Sequence, residues 1–232
     1  MLAGATEIWC VDFREPSRWL SSLAPHELLP TEDLARASAC VEKRKNEILI
    51  VQSVLRVLLS QYFPGTAPRD WQIARTPEGK PFFAGAAPCV FSLAHSHGIA
   101  TLAFGAAGEL GVDVEKVNPS RDLAEIAASV FTKEEIEAMS KPDGAIEPRN
   151  FFEIWALKEA YVKAVGRGLS FDLKSVSFRI DPAGPVASNA SGWQLALFEP
   201  VSGYQAAVAS FCDRTPSLEV RQRGFFETPL RR

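Results

Sequence analysis

The stretch NFFEIWALKEAYVKAVG, residues 150–166, constrains the fold of this chain more than any other. Phe152, Ile154, Trp155, Leu157, Tyr161, Val162 and Val165 fall all round a helix of 3.6-residue period, so the helix predicted over Arg149–Val165 has almost no polar side and must be largely buried. Gly166 stops it. Glu159 and Lys163 nevertheless stand one turn apart on this helix, where unpaired charges cost several kcal/mol. They either form an ordinary i,i+4 ion pair or meet charge delivered from elsewhere, and a phosphate with a metal ion satisfies both.

A second acidic feature lies upstream in Gly111-Val112-Asp113-Val114-Glu115. Strand alternation turns Asp113 and Glu115 to one face and the valines to the other, so two carboxylates approach one small volume. Hard oxygen donors in that number suit Mg²⁺, which binds through one or two carboxylates and substrate phosphates; a solvated strand end explains the same pattern. Phe91–Gly98 joins predicted strands over Cys89–Leu93 and Ile99–Phe104 through small polar residues. Such a connection presents backbone N–H groups and an imidazole to an anion, or else His95 and His97 are plain surface-turn residues lacking a third metal ligand. Arg75–Pro81 likewise puts Lys80 on a tight turn.

The order of elements recurs. A helix over Glu42–Phe63, stopped by Pro64-Gly65, is followed by extended pieces at Trp71–Ala74, Cys89–Leu93 and Ile99–Phe104. The helix at Arg149–Val165 is followed by strands at Ser175–Ile180, Trp193–Phe198 and Tyr204–Phe211. Two similar halves are expected. Between them come a helix at Leu123–Val130 and another opened by Thr132-Lys133-Glu134-Glu135, which has capping-box spacing.

With 232 residues, 47% of them apolar, the chain can bury one large core or two small ones. A net charge of −3 argues against a general nucleic-acid grip. Cys10, Cys40, Cys89 and Cys212 are widely spaced and are read as reduced thiols. No leader is legible at the N-terminus, and the longest apolar stretch, Ile48–Leu59, is interrupted and short of the roughly 20 residues a membrane span needs. A cytoplasmic protein without membrane contact is the expectation.

Taken together, Lys43-Arg44, Gly79-Lys80-Pro81, Phe91–Ser96, Gly111–Glu115, Phe131–Glu135 and above all Trp155–Lys163 resemble the 4′-phosphopantetheinyl transferases of the larger, single-chain, surfactin-synthetase-activating type. The resemblance implies an α+β fold of two pseudo-symmetric α/β subdomains, each a small, mostly antiparallel sheet packed on a long helix, with the active site in the cleft between them. Residues 1–106 would form the nucleotide side and 107–232 the metal-binding and catalytic side. It implies Mg²⁺ on Asp113, Glu115 and Glu159, and catalysis by Glu159, Lys163 and Asp113. Coenzyme A would be held by Lys43, Gly79, Lys80, Pro81, His95, Ser96, the backbone of Leu93 and Ala94, Lys158 and Lys163. The implied reaction carries phosphopantetheine from coenzyme A to a serine of an apo acyl or peptidyl carrier protein, releasing 3′,5′-ADP, in an enzyme that works as a monomer. Ser92 and Ala94 depart from the Asn and Ser or Thr usual in the family. A catalytically silent coenzyme A or nucleotide-binding module and a metal-dependent phosphohydrolase are the alternatives. The acceptor is expected to dock by a basic or apolar patch near Phe131–Met139.

Overall fold

A computed structural model describes residues 6–106, 108–119, 122–211 and 220–226, the side chains of Leu169 and of the last segment excepted. Cys212 lies outside the described residues, whereas Cys40 and Cys89 are thiols. The first half runs β1 Thr6–Asp12, short helices α1 Pro16–Leu23, α2 Pro25–Leu28 and α3 Thr31–Ser38, and the long α4 Glu42–Tyr62. The hairpin β2 Ile73–Arg75 and β3 Pro81–Phe83 follows, then the hairpin β4 Val90–Ser96 and β5 Ile99–Gly105. The second half runs β6 Glu109–Lys116, α5 Leu123–Val130, α6 Lys133–Met139 and the long α7 Pro148–Val165. Another hairpin, β7 Phe178–Asp181 and β8 Gly184–Ala187, precedes β9 Gln194–Phe198 and β10 Tyr204–Phe211.

Sheet order brings out the internal symmetry. One sheet contains β1-β5-β4 and the other β6-β10-β9, so in each half the lead strand lies beside the last strand and the middle strand takes the edge. All of these pairings are antiparallel. The α+β architecture of two pseudo-symmetric halves is therefore as expected. One strand breaks the symmetry: β11, Val220–Phe226, runs parallel to β1 on the outer edge of the first sheet.

Burial follows the alternation of the strands. Leu102 and Phe104 pack with Ile50, Val54 and Leu58 of α4, while Ala103 turns the other way with Ile8 and Cys10 to meet Val112, Val114 and Val208 of the second sheet. In β10, Ala206 and Val208 face that shared core, whereas Ala207 and Ala209 face α7. Each long helix thus covers one sheet and the remaining faces cover each other. At the seam, Ser92 Oγ of β4 accepts the Val112 N–H of β6 at 3.1 Å. Ser92, one of the two residues that depart from the family pattern, is thus among those that tie the halves together.

The side of β6 that meets α7 begins with Gly111. A Cβ there would lie 1.9 Å from the Ala160 carbonyl oxygen and 2.5 Å from the Ala164 nitrogen, so only glycine permits this separation. Asp113 and Glu115, two and four residues on, share the face and are carried to α7 by that close approach. Gly111→Ala is expected to destabilise the protein by about 2–3 kcal/mol, the upper range for overpacking, because backbone and not a flexible side chain must move. Denaturant unfolding of the variant measures this.

Several local expectations change. The segment read as a connection at Phe91–Gly98 is strand through Ser96, and the turn is only His97-Gly98, with φ of +47° and +85°. His95 thus projects from a strand paired along its length with β5. The capping box at Thr132 forms as expected, Thr132 Oγ1 accepting from Glu135 N and Glu135 Oε2 accepting from Thr132 N. Among the described residues, no helix is long and apolar enough to cross a membrane.

Candidate active site

Asp113 is 3% exposed on β6, and its Oδ1 accepts from Lys163 Nζ of α7 at 2.6 Å. Its Oδ2 is buried with no hydrogen-bond partner. A buried acceptor left unmade costs about 1–3 kcal/mol, more when charged, which makes the atom a candidate ligand for a cation. Glu115 lies partly buried beside it, and Glu159 enters from α7. Burial, and then the charge of Asp113, push both Glu115 and Glu159 above the usual carboxylate range; Lys163 opposes the rise in each. The i,i+4 relation of Glu159 and Lys163 resolves differently from a simple pair: the hydrogen bond of Lys163 goes to Asp113.

Of these groups, Glu159 and Lys163 border a cavity of about 310 Å³ between the halves, and Asp113 reaches its margin through its hydrogen bond to Lys163. Arg75, Gly79, Lys80, Pro81, Phe91 and Leu93 line it from the first half, and Glu159, Val162, Lys163 and Phe171 from the second. Lys80 donates to the Ala164 carbonyl at the end of α7, and desolvation holds it below its ordinary pKa. Gly166, with φ of +77°, ends α7 against Lys80: a Cβ there would lie 3.2 Å from Lys80 Cδ.

A second cavity of about 330 Å³ continues from Arg75 and Leu93 and is lined by Arg36, Arg44 and His95. Arg44 Nη1 donates to His95 Nε2 at 2.6 Å, so that nitrogen is the bare one, and desolvation followed by the charge of Arg44 holds His95 below its usual pKa. Arg75 is likewise lowered by desolvation and then by Arg36. Arg36 and Arg44 are each paired, with Asp33 at 2.9 Å and Glu47 at 3.2 Å, so the three guanidinium groups with Glu47 make a cationic but partly neutralised wall that an anion can meet. Of these, Arg36 and Arg75 were not singled out in the sequence. Arg75 was legible as the first residue of the turn that carries Lys80; Arg36 lay on a short helix the periodicity did not expose.

Other expected site residues are placed elsewhere. Lys43 is exposed and borders a separate pocket with Arg14, His97 and Lys116, because neighbours on a helix face different ways. Lys158 is fully buried, donates to the carbonyls of Leu173 and Val176, each at 2.6 Å, and lines neither cavity. The Ala94 side chain packs in the core between the sheets, and Ser96 Oγ donates to Glu115 Oε2 at 3.1 Å. The segment expected to dock the acceptor has Phe131 and Met139 both buried and exposes Lys133, Glu134, Glu137 and Ala138, with the exposed Ile180 and Arg179 beside Met139.

The residues fit Mg²⁺ in one specific sense. Among the described residues no three His, Cys, Asp or Glu side chains gather as ligands of one ion. Asp113, with an unpartnered oxygen, and Glu115 would be the one or two carboxylates of an Mg²⁺ ion whose shell phosphates complete.

A family model described as the 4′-phosphopantetheinyl transferase superfamily matches residues 109–209, the stretch that carries the acidic strand and α7. The chain is similar to the 4′-phosphopantetheinyl transferase HetI of Nostoc sp., 27% identical over 90% of this chain and 89% of that protein. It is 32% identical to the 4′-phosphopantetheinyl transferase pptA of Paxillus involutus over 73% of each. The 4′-phosphopantetheinyl transferase Sfp of Bacillus subtilis is 30% identical over 57% of this chain and 59% of that protein.

Proposed function

Since the chain belongs to the 4′-phosphopantetheinyl transferase superfamily, we propose that its cleft performs an Mg²⁺-dependent transfer and that the residues just described divide that work. The protein is a transferase that moves the 4′-phosphopantetheine group of coenzyme A to a serine of an apo carrier protein, releasing 3′,5′-ADP. The observation that carries the mechanism is the hydrogen bond that ties Lys163, on the cavity wall with Glu159, to Asp113 behind it, with the other Asp113 oxygen buried and unpartnered.

In this reading Arg36, Arg44, Arg75 and His95 bind the 3′-phosphate, and Gly79, Lys80, Pro81 and Leu93 line the nucleotide. Lys163 binds the pyrophosphate, its charge opposing the negative charge that grows on the departing ADP oxygen. Glu159 takes the proton of the carrier serine, directly or through a water. Its raised proton affinity brings it nearer to a useful base, though the gain from base catalysis is only about a hundredfold to ten-thousandfold. Asp113 and Glu115, with Glu159 at the margin, would hold Mg²⁺, and when bound it would supply Lewis-acid charge at the phosphate oxygens. Residues 1–106 then serve the nucleotide and 107–232 the chemistry, apart from β11, which joins the first sheet. One chain supplies both walls of the cleft, as a monomeric enzyme requires.

Incubation with coenzyme A, Mg²⁺ and an apo carrier, followed by mass spectrometry of the carrier, tests this. A gain of one phosphopantetheine group is expected, and its abolition by chelation. No gain across a panel of carriers, or release of the group to water without an acceptor, contradicts the reading; tight coenzyme A binding without transfer is the mark of a silent module. A separate check concerns the arginines. Arg75→Ala is expected to raise KM for coenzyme A by about tenfold with kcat spared, the scale of one lost charge-assisted hydrogen bond. Coenzyme A lacking its 3′-phosphate should react equally with the variant and the native enzyme.

A further inference from the structure

Glu115 is held at both ends of its carboxylate by residues from opposite sides of the seam. Its Oε2 accepts from Ser96 Oγ at 3.1 Å, and its Oε1 accepts from Trp155 Nε1 at 3.3 Å. Ser96, at the end of β4, is 9% exposed, and its oxygen also takes the Lys116 N–H at 3.4 Å. Trp155 belongs to α7, where its indole stacks on Phe151 at 6.0 Å and 8° and meets Phe131 edge-on at 6.2 Å. The ring contacts hold the indole in place, and Ser96 Oγ, also 3.0 Å from His97 Nδ1, is held by its neighbours at the end of β4. Indole N–H is a donor only, so nothing in the Trp155 contact competes for a cation. Each carboxylate oxygen keeps lone-pair capacity after accepting one hydrogen bond.

We infer that Ser96 and Trp155 are positioning residues, a clamp that fixes the Glu115 carboxylate in the one orientation in which it and Asp113 face a divalent cation together. The inference rests on the reading that Glu115 is a ligand of that cation. It gives the tryptophan of the buried helix a task beyond packing, and it changes the place of Ser96 from the nucleotide to the carboxylate. It also couples the halves: Glu115 is oriented only when β4 of the first half and α7 of the second are both docked on β6. Outer-sphere hydrogen bonds of this kind typically govern 10–100-fold in metal affinity.

The test uses the full chain with coenzyme A and Mn²⁺ as the spectroscopic probe, free Mn²⁺ being read by electron paramagnetic resonance. Trp155→Phe keeps the ring stack and removes the N–H; Ser96→Ala removes the hydroxyl. Each is expected to weaken Mn²⁺ binding by about tenfold, and the double variant by about a hundredfold. Coenzyme A affinity without metal, read by calorimetry, should be unchanged, and excess Mg²⁺ should restore kcat. Unaltered Mn²⁺ affinity in both single variants overturns the clamp, as does a loss confined to melting temperature and metal-free coenzyme A binding. Glu115→Gln separates the two levels of the argument. If it loses Mn²⁺ while Ser96→Ala and Trp155→Phe do not, the clamp alone fails. If it binds Mn²⁺ normally, Glu115 is no ligand and the clamp falls with that assignment.

Discussion

Asp113→Ala is expected to reduce transfer by about a thousandfold while leaving the fold intact. The figure is the scale of removing one preorganised electrostatic element at a site of developing charge. The fold should survive because of what Asp113 touches. Its one hydrogen bond is to Lys163, whose side chain is 33% exposed and can regain water when the carboxylate is lost. Its other oxygen has no partner and contributes nothing to cohesion. Single-turnover transfer read by mass spectrometry gives the rate, and circular dichroism the fold. Asp113→Asn sharpens the result: the amide oxygen still accepts from Lys163 but brings no charge, so activity should stay near that of the alanine variant. Transfer within tenfold of native in either, or wholesale unfolding, would remove Asp113 from the role assigned to it.

Five residues before Lys163 on the same helix, Lys158→Ala should do the reverse and cost about 3–5 kcal/mol of stability. Lys158 Nζ pairs with Glu135 Oε2 at 3.0 Å, both side chains 1% exposed. It lies 5.6 Å from the Phe131 ring centre and 5.9 Å from that of Phe178, a cation between aromatic faces. Glu135 in turn accepts from the N–H groups of Thr132 and Phe178, at 2.8 and 2.9 Å. One ion pair therefore fastens α6, α7 and β7 together. Deleting the lysine leaves the carboxylate buried without its counter-charge and orphans the carbonyls of Leu173 and Val176. Because removing half of a buried pair costs more than replacing the whole, Lys158→Met combined with Glu135→Gln should be markedly more stable than Lys158→Met alone. Equilibrium denaturation measures all three. An equally unstable double variant would show that the cost lies in lost packing and not in unpaired charge.

The contrast between these lysines shows how far the chain could be read before it was folded. The motif containing both was legible, and so was the need to satisfy charge on a buried helix. Which lysine faces the cavity was not. A helix that is apolar all round has no solvent side to orient it, so its rotation is set by the sheet it packs on, and here by the contact of Gly111 with Ala160. The edge elements were hard to see for a related reason. Strand β1 is almost wholly buried and lacks the alternation of a half-exposed strand. The helices α1 to α3 are at most eight residues long, two turns or little more of pattern. The pairing of β11 with β1 joins segments some two hundred residues apart, which no local signal announces.

What the sequence determined by itself was the inventory of chemistry and its order: an acidic pair on a strand, an acid and a base on a buried helix, and two halves built from the same succession of elements. These rest on local periodicity, which the chain carries within each element. Only the tertiary structure decided which of those groups meet. It turned Lys163 to Asp113 and Lys158 to Glu135, sent Lys43 to another pocket, gathered Arg36 with Arg44 and Arg75, and gave Ser96 to Glu115. Those choices depend on how elements distant in the chain pack and rotate against one another, and burial fixes them all at once.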